Sequence, residues 1–211
     1  MAKAKSLGIL GGTFDPIHYG HLLAAEWARE VFKLDGLIFI PTARPPHKDP
    51  ETVLDSQHRY RMVELAVADN PAFSVSAIEL ERSGYSYTVD TIKHYLQADP
   101  CLDIHFIMGV DALQLIYTWK DLDQLWQLCK FIVVTRPGYH LDRNDPVFDA
   151  VPAALWERLE MLPIPGLEIA SSDIRQRISS GQSVSYLLPA AVADYIKENN
   201  LYRTGVHDKS N

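Results

Sequence analysis

The stretch Ser6-Leu7-Gly8-Ile9-Leu10-Gly11-Gly12-Thr13-Phe14-Asp15-Pro16-Ile17-His18-Tyr19-Gly20-His21 decides how the rest of the chain is read. A short apolar run closes on two glycines, and helical spacing begins at about residue 19. Strand, glycine bend and helix in that order open a parallel sheet whose ligands bind beyond the carboxyl ends of the strands. Gly11 and Gly12 remove side chains where a ligand must approach the backbone. The free N–H groups of the following helix then face any phosphate placed there. His18 and His21 stand three residues apart and share a helical face. Two imidazoles at that spot can donate to phosphate oxygens and can become cationic as charge develops. A buried capping pair and a metal-binding HxxH are the other readings, and the glycines, the proline and the strand context favour the phosphate site. The spacing is neither GxGxxG nor GxxxxGK[ST], which disfavours a dinucleotide dehydrogenase or a P-loop enzyme.

Outward from this stretch, strand and helix alternate. Residues 19–34 predict a helix with an apolar face of Leu23, Trp27, Val31 and Leu34 and a charged face of Glu26, Arg29, Glu30 and Lys33. Residues 37–40 read as a buried strand stopped by Pro41. A helix over 56–68 follows, with Met62, Leu65 and Ala66 inward, then a strand over 73–78, a helix over 88–97 and strands over 104–108 and 131–134. The expected fold class is α/β: a Rossmann-like open parallel sheet with helices on both faces and a small helical C-terminal part. Residues 1–203 are expected to form a single domain, with 204–211 a disordered tail. The connection over 41–55 is long and proline-rich, and 139–166 receives no assignment beyond one amphipathic piece at 155–162.

The 211 residues are 47% hydrophobic and 22% charged, which excludes a disordered chain. Twenty Lys and Arg against 27 Asp and Glu give a net charge of -7, so a basic footprint for nucleic acid is absent. No apolar run reaches membrane-spanning length, and the one near the start is too short for a signal peptide core. Cys101 and Cys129 supply neither a disulfide framework nor zinc spacing. A soluble, reduced, cytoplasmic protein is expected.

With further motifs in view, the chain resembles the HxGH nucleotidyltransferases, and among them the bacterial nicotinate-mononucleotide adenylyltransferases. The resemblance rests on 11–21, Pro45-Pro46-His47-Lys48, Tyr87-Thr88-Val89-Asp90-Thr91, Gly109-Val110-Asp111, Tyr117-Thr118-Trp119, Thr135-Arg136-Pro137-Gly138 and Ile169-Ala170-Ser171-Ser172-Asp173-Ile174-Arg175. It implies an ATP site of Gly11, Gly12, Thr13, Phe14, His18, His21, Asp111, Ser171, Ser172 and Arg175. It likewise implies a nicotinate mononucleotide site of Thr13, His47, Lys48, Thr88, Trp119 and Arg136. His18, His21, Lys48 and Arg175 are the implied catalytic set. The family usually carries a serine where Ala170 stands, so one hydroxyl is missing here.

The residues also allow plainer readings. Ser171 and Ser172 are good helix caps, with Arg175 one turn in. Asp111 could cap a helix starting at Ala112, and Thr88 could cap the helix it opens. Trp119 could be core or a platform for a planar ring, which would gain geometry from an indole face. Arg136 can fork onto a phosphate or simply precede a Pro-Gly turn. His47 and Lys48 can form a mobile basic arm or a solvated loop.

The resemblance implies transfer of the adenylyl group of ATP to nicotinate mononucleotide, giving deamido-NAD and pyrophosphate. No protein nucleophile is needed, because the attacking phosphate is already ionised. Alignment and charge cancellation are what the protein must supply. Mg²⁺ is expected with ATP, held by phosphates and water, since no carboxylate cage is visible. Small-molecule substrates are expected, without nucleic acid or membrane. Alternatives are nicotinamide mononucleotide or phosphopantetheine as acceptor, or a nucleotide-sensing module that binds without turnover. No cation for the nicotinate carboxylate is evident, and the resemblance implies that backbone N–H groups can serve it.

Overall fold

A computed structural model describes residues 4–44, 52–135 and 142–203 of the chain. Six strands, β1 (Ser6–Gly12), β2 (Gly36–Pro41), β3 (Phe73–Val75), β4 (Asp103–Gly109), β5 (Lys130–Thr135) and β6 (Leu159–Pro163), form one sheet. Its order is β3-β2-β1-β4-β5-β6, and every neighbouring pair is parallel. The order reverses between β1 and β4, where Leu10 stands opposite Ile107. At that switch point the two outgoing connections diverge and leave a crevice at the carboxyl ends of the strands.

Successive strand residues point to opposite faces, so the sheet has two cores. Leu10, Phe39, Ile107 and Ile132 pack on one side with α1 (Tyr19–Val31), α2 (Ser56–Val67), α7 (Ser171–Ser179) and α8 (Ala190–Glu198). Ile9, Ile40, Phe106, Phe131 and Val133 pack on the other. That side is covered by α3 (Thr88–Ala98), α4 (Val110–Gln114), α5 (Leu122–Leu128) and α6 (Ala153–Trp156). Strands buried on both faces carry continuous apolar runs, which is why β1, β4 and β5 were legible.

Three expectations need correction. The buried face of α1 is Ala24, Ala25 and Ala28, not the larger stripe: Trp27 is 39% and Val31 55% exposed. Small residues let the helix lie close to β1, and Leu34, beyond the helix, fills the space over Gly8 instead. β3 stops at Val75 rather than continuing to 78, because the chain turns at once, with Leu80 and Glu81 N–H groups donating to the Ala77 carbonyl. The unassigned region contains a sixth strand, β6, whose alternation was masked by its half-exposed position at the sheet edge.

Candidate active site

The loop after β1 delivers both histidines to the start of α1. His18 is the N-cap, and its Nδ1 accepts the Gly20 N–H at 3.2 Å while His21 Nδ1 accepts the His18 N–H at 3.3 Å. The histidines thus form a reciprocal capping box, with rings stacked 3.8 Å apart. A backbone N–H can only be accepted by an unprotonated nitrogen, so each neutral ring carries its proton on Nε2. Burial pushes the His18 pKa down to about 4. In the resting site His18 is therefore a neutral donor, not the cation that the sequence allowed. Gly20 is required beside it, since a Cβ there would stand 3.0 Å from the His18 ring.

Two cavities flank the end of β1. The first, of about 210 Å³, is lined by Gly11, Gly12, Thr13, Thr88, Phe106, Trp119 and Lys120 among others. Trp119 is half-buried and meets Phe106 edge to face at 5.5 Å, which fixes its indole as a wall. The second, of about 480 Å³, is lined by His18, His21, Gly109, Asp111, Thr135 and the segment around Ile164 to Ile169. The smaller volume lies below the usual range for whole drug-sized ligands and suits a single ring, while the larger lies inside it.

Several site residues sit differently from their simplest readings. Phe14 lines neither cavity with its side chain: it is 2% exposed and braces His21 edge to face at 5.1 Å. Gly109, not Asp111, occupies the N-cap of α4, and Asp111 is exposed in the first turn. Thr88 follows the true cap position, Tyr87, and points its residue into the first cavity. Ser171 and Ser172 are not caps either, because Ala170 holds that position. The Ser171 hydroxyl donates to the Pro16 carbonyl at 2.9 Å, joining the starts of α7 and α1, and Ser172 donates to Asp173 at 3.4 Å. His47, Lys48 and Arg136 lie outside the described residues.

An ionic frame lies beneath the loop, and of its members only Arg175 carried a sequence signal. Arg175 donates to the Asp15 carbonyl at 2.7 Å, with the Asp15 carboxylate 4.0 Å away. Asp15 is 5% exposed and accepts the Tyr202 hydroxyl at 2.6 Å, across 187 residues of chain. Burial raises the Tyr202 pKa, and the adjacent Asp15 charge adds to that, so the phenol stays a donor. Arg59 is 1% exposed and donates to the carbonyls of Thr13, Ala43 and Leu54 at 2.7, 3.3 and 2.8 Å. Burial disfavours its charge and Asp15 is the largest of the charges that favour it. One guanidinium thereby ties together the ends of two loops that border the crevice.

Among the described residues no group of three or more His, Cys, Asp or Glu could hold a metal ion. None of the described helices is long and apolar enough to cross a membrane.

Comparison with known proteins follows the same lines. The model of the cytidylyltransferase-like family matches residues 9–177. The chain is 46% identical to a protein of Moorella thermoacetica named "probable nicotinate-nucleotide adenylyltransferase", over 99% of this chain and 98% of that one. A protein of the same name from Thermoanaerobacter is 45% identical over 96% and 97% of the two chains. Among solved structures, the Plasmodium falciparum nicotinic acid mononucleotide adenylyltransferase complexed with NaAD superposes with a TM-score of 0.76. That match covers 94% of this chain and 97% of the other at 21% identity, a likeness of fold.

Proposed function

We infer the activity from one premise: the chain belongs to the cytidylyltransferase-like family and, within it, to the nicotinate-nucleotide adenylyltransferases. It transfers the adenylyl group of ATP to nicotinate mononucleotide, a step of NAD biosynthesis. An oxygen of the mononucleotide phosphate attacks the α-phosphorus of ATP in line. One P–O bond forms, the bond from the α-phosphorus to the α,β-bridging oxygen breaks, and pyrophosphate leaves with its electron pair. Deamido-NAD is the other product, and no covalent enzyme intermediate is formed.

The observation that carries this reading is the reciprocal capping of His18 and His21 in the wall of the larger cavity. Backbone donors occupy both Nδ1 atoms, and in this proposal the Nε2–H edges of the two rings donate to phosphate oxygens. His18, held neutral by burial, stabilises charge by donation without a proton changing hands. Arg175 supplies a cation from α7, Ser171 ties that helix start to the loop before α1, and Ser172 beside it faces the ATP phosphates in this proposal. Trp119 and Thr88 hold the pyridine ring, with Gly11, Gly12 and Thr13 admitting the sugar phosphate beside the strand end. His47, Lys48 and Arg136 complete the anion-binding set in this proposal, and Asp111 contacts the adenylate side. Mg²⁺ enters with ATP on its phosphates and would neutralise part of their charge. Residues 1–203 act as one catalytic unit, and a cytoplasmic setting suits the free Cys101 and Cys129.

Purified protein with ATP, Mg²⁺ and nicotinate mononucleotide should release pyrophosphate, and H21A should lower kcat by roughly a hundredfold, as for loss of one transition-state donor. No release from the wild type, or an H21A variant within a few-fold of it, would overturn the reading.

A further inference from the structure

Nicotinate and nicotinamide mononucleotides differ by one negative charge on the ring substituent, and a protein that prefers the acid needs something that senses it. Among the described residues lining the ring cavity there is one cation, Lys120, directly after the Trp119 wall. Its ammonium lies 4.6 Å from the centre of the Tyr87 ring and 3.2 Å from Asp90 Oδ2. Tyr87 and Asp90 belong to the start of the helix that also presents Thr88 to the cavity. The lysine is thereby drawn across the mouth of the cavity rather than left to roam in solvent. The one carboxyl among the same lining residues, Glu79, is 7% exposed and already committed, accepting the Thr91 hydroxyl at 2.9 Å. The cavity is thus lined by one buried carboxyl and one exposed ammonium.

Resting on the adenylyl-transfer reading, we propose that Lys120 is a specificity-determining residue, selecting the acid mononucleotide by attracting its ring carboxylate. The Lys120 side chain is 42% exposed, so its ammonium acts on the ring substituent through a partly screened field. Asp90 holds it in place in the empty site and gives it up as the substrate carboxylate arrives. The pyridinium ring, itself positive, is meanwhile offered the Trp119 indole face, to which a cation is attracted. Acid and amide share this second interaction, so among the described lining residues the lysine is the cation that can separate them.

The test is kcat/KM for both mononucleotides in the wild type, K120M and K120R, each at low and high ionic strength. Methionine keeps an unbranched stem for packing on Tyr87, and arginine restores the charge. K120M should lower the acid-to-amide ratio about tenfold, K120R should recover most of it, and the salt sensitivity of that ratio should vanish in K120M alone. A ratio unchanged in K120M, or one that K120R fails to recover, overturns the assignment while leaving adenylyl transfer intact. A wild type that turns over neither substrate overturns the underlying reading and this proposal with it.

Discussion

Acid sensitivity should report directly on the neutral state of His18. Its pKa stands at 6.5 in the unfolded chain and is lowered to about 4 in the folded protein by burial. Between those values the unfolded chain binds a proton that the folded one refuses, so stability is full above pH 6.5 and falls as pH drops toward 4. Integrating this one group from pH 7 to pH 5 gives a loss of about 2 kcal/mol. The informative variant is H18N, since asparagine can cap α1 through its side-chain oxygen but does not titrate. Urea unfolding of both proteins at pH 7, 6 and 5 isolates the term, because the remaining histidines cancel in the difference. The wild type should lose about 2 kcal/mol more than H18N over that range. Parallel stability profiles would refute the claim that the ring is held neutral, and with it the assignment of its proton to Nε2. A neutral donor also predicts that kcat/KM shows no acidic limb near pH 6.5 attributable to His18.

Other perturbations test other parts of the site. W119A should raise KM for the mononucleotide far more than KM for ATP, because the indole walls only the smaller cavity; equal effects in steady-state kinetics would make Trp119 merely structural. Y202F removes the donor 2.6 Å from the buried Asp15 carboxylate. Loss of such a charged hydrogen bond costs about 2 kcal/mol, or a Tm lowered by roughly 4–8 °C in calorimetry. The same variant should raise KM for ATP several-fold, since an under-satisfied Asp15 draws Arg175 inward; a destabilised protein with unaltered ATP kinetics would show the frame to be structural alone.

Much of the site was readable because it is local. The histidine pair, its glycine and the strand before it fall within sixteen consecutive residues, whereas the reciprocal capping through Nδ1 came only from the structure. The cap positions at the later helices were misjudged by one or two residues: Tyr87, Gly109 and Ala170 hold them, and the Ser171 and Ser172 hydroxyls donate elsewhere. Arg59 reads in sequence as one polar residue of a surface helix, near Arg61; only the fold shows it with 1% exposure and three carbonyl acceptors. Lys120 reads as a solvated charge until α3 brings Tyr87 and Asp90 against it.

From sequence alone came the alternation of strand and helix, the parallel sheet it implies and the chemistry at its first loop, because apolar period and glycine punctuation act over a few residues. Tertiary structure alone decided which face of α1 turns inward, that β6 extends the sheet, and that Asp15 meets Tyr202 across 187 positions. Those outcomes depend on close packing and on satisfying buried charge, and both are set by neighbours that no local window contains.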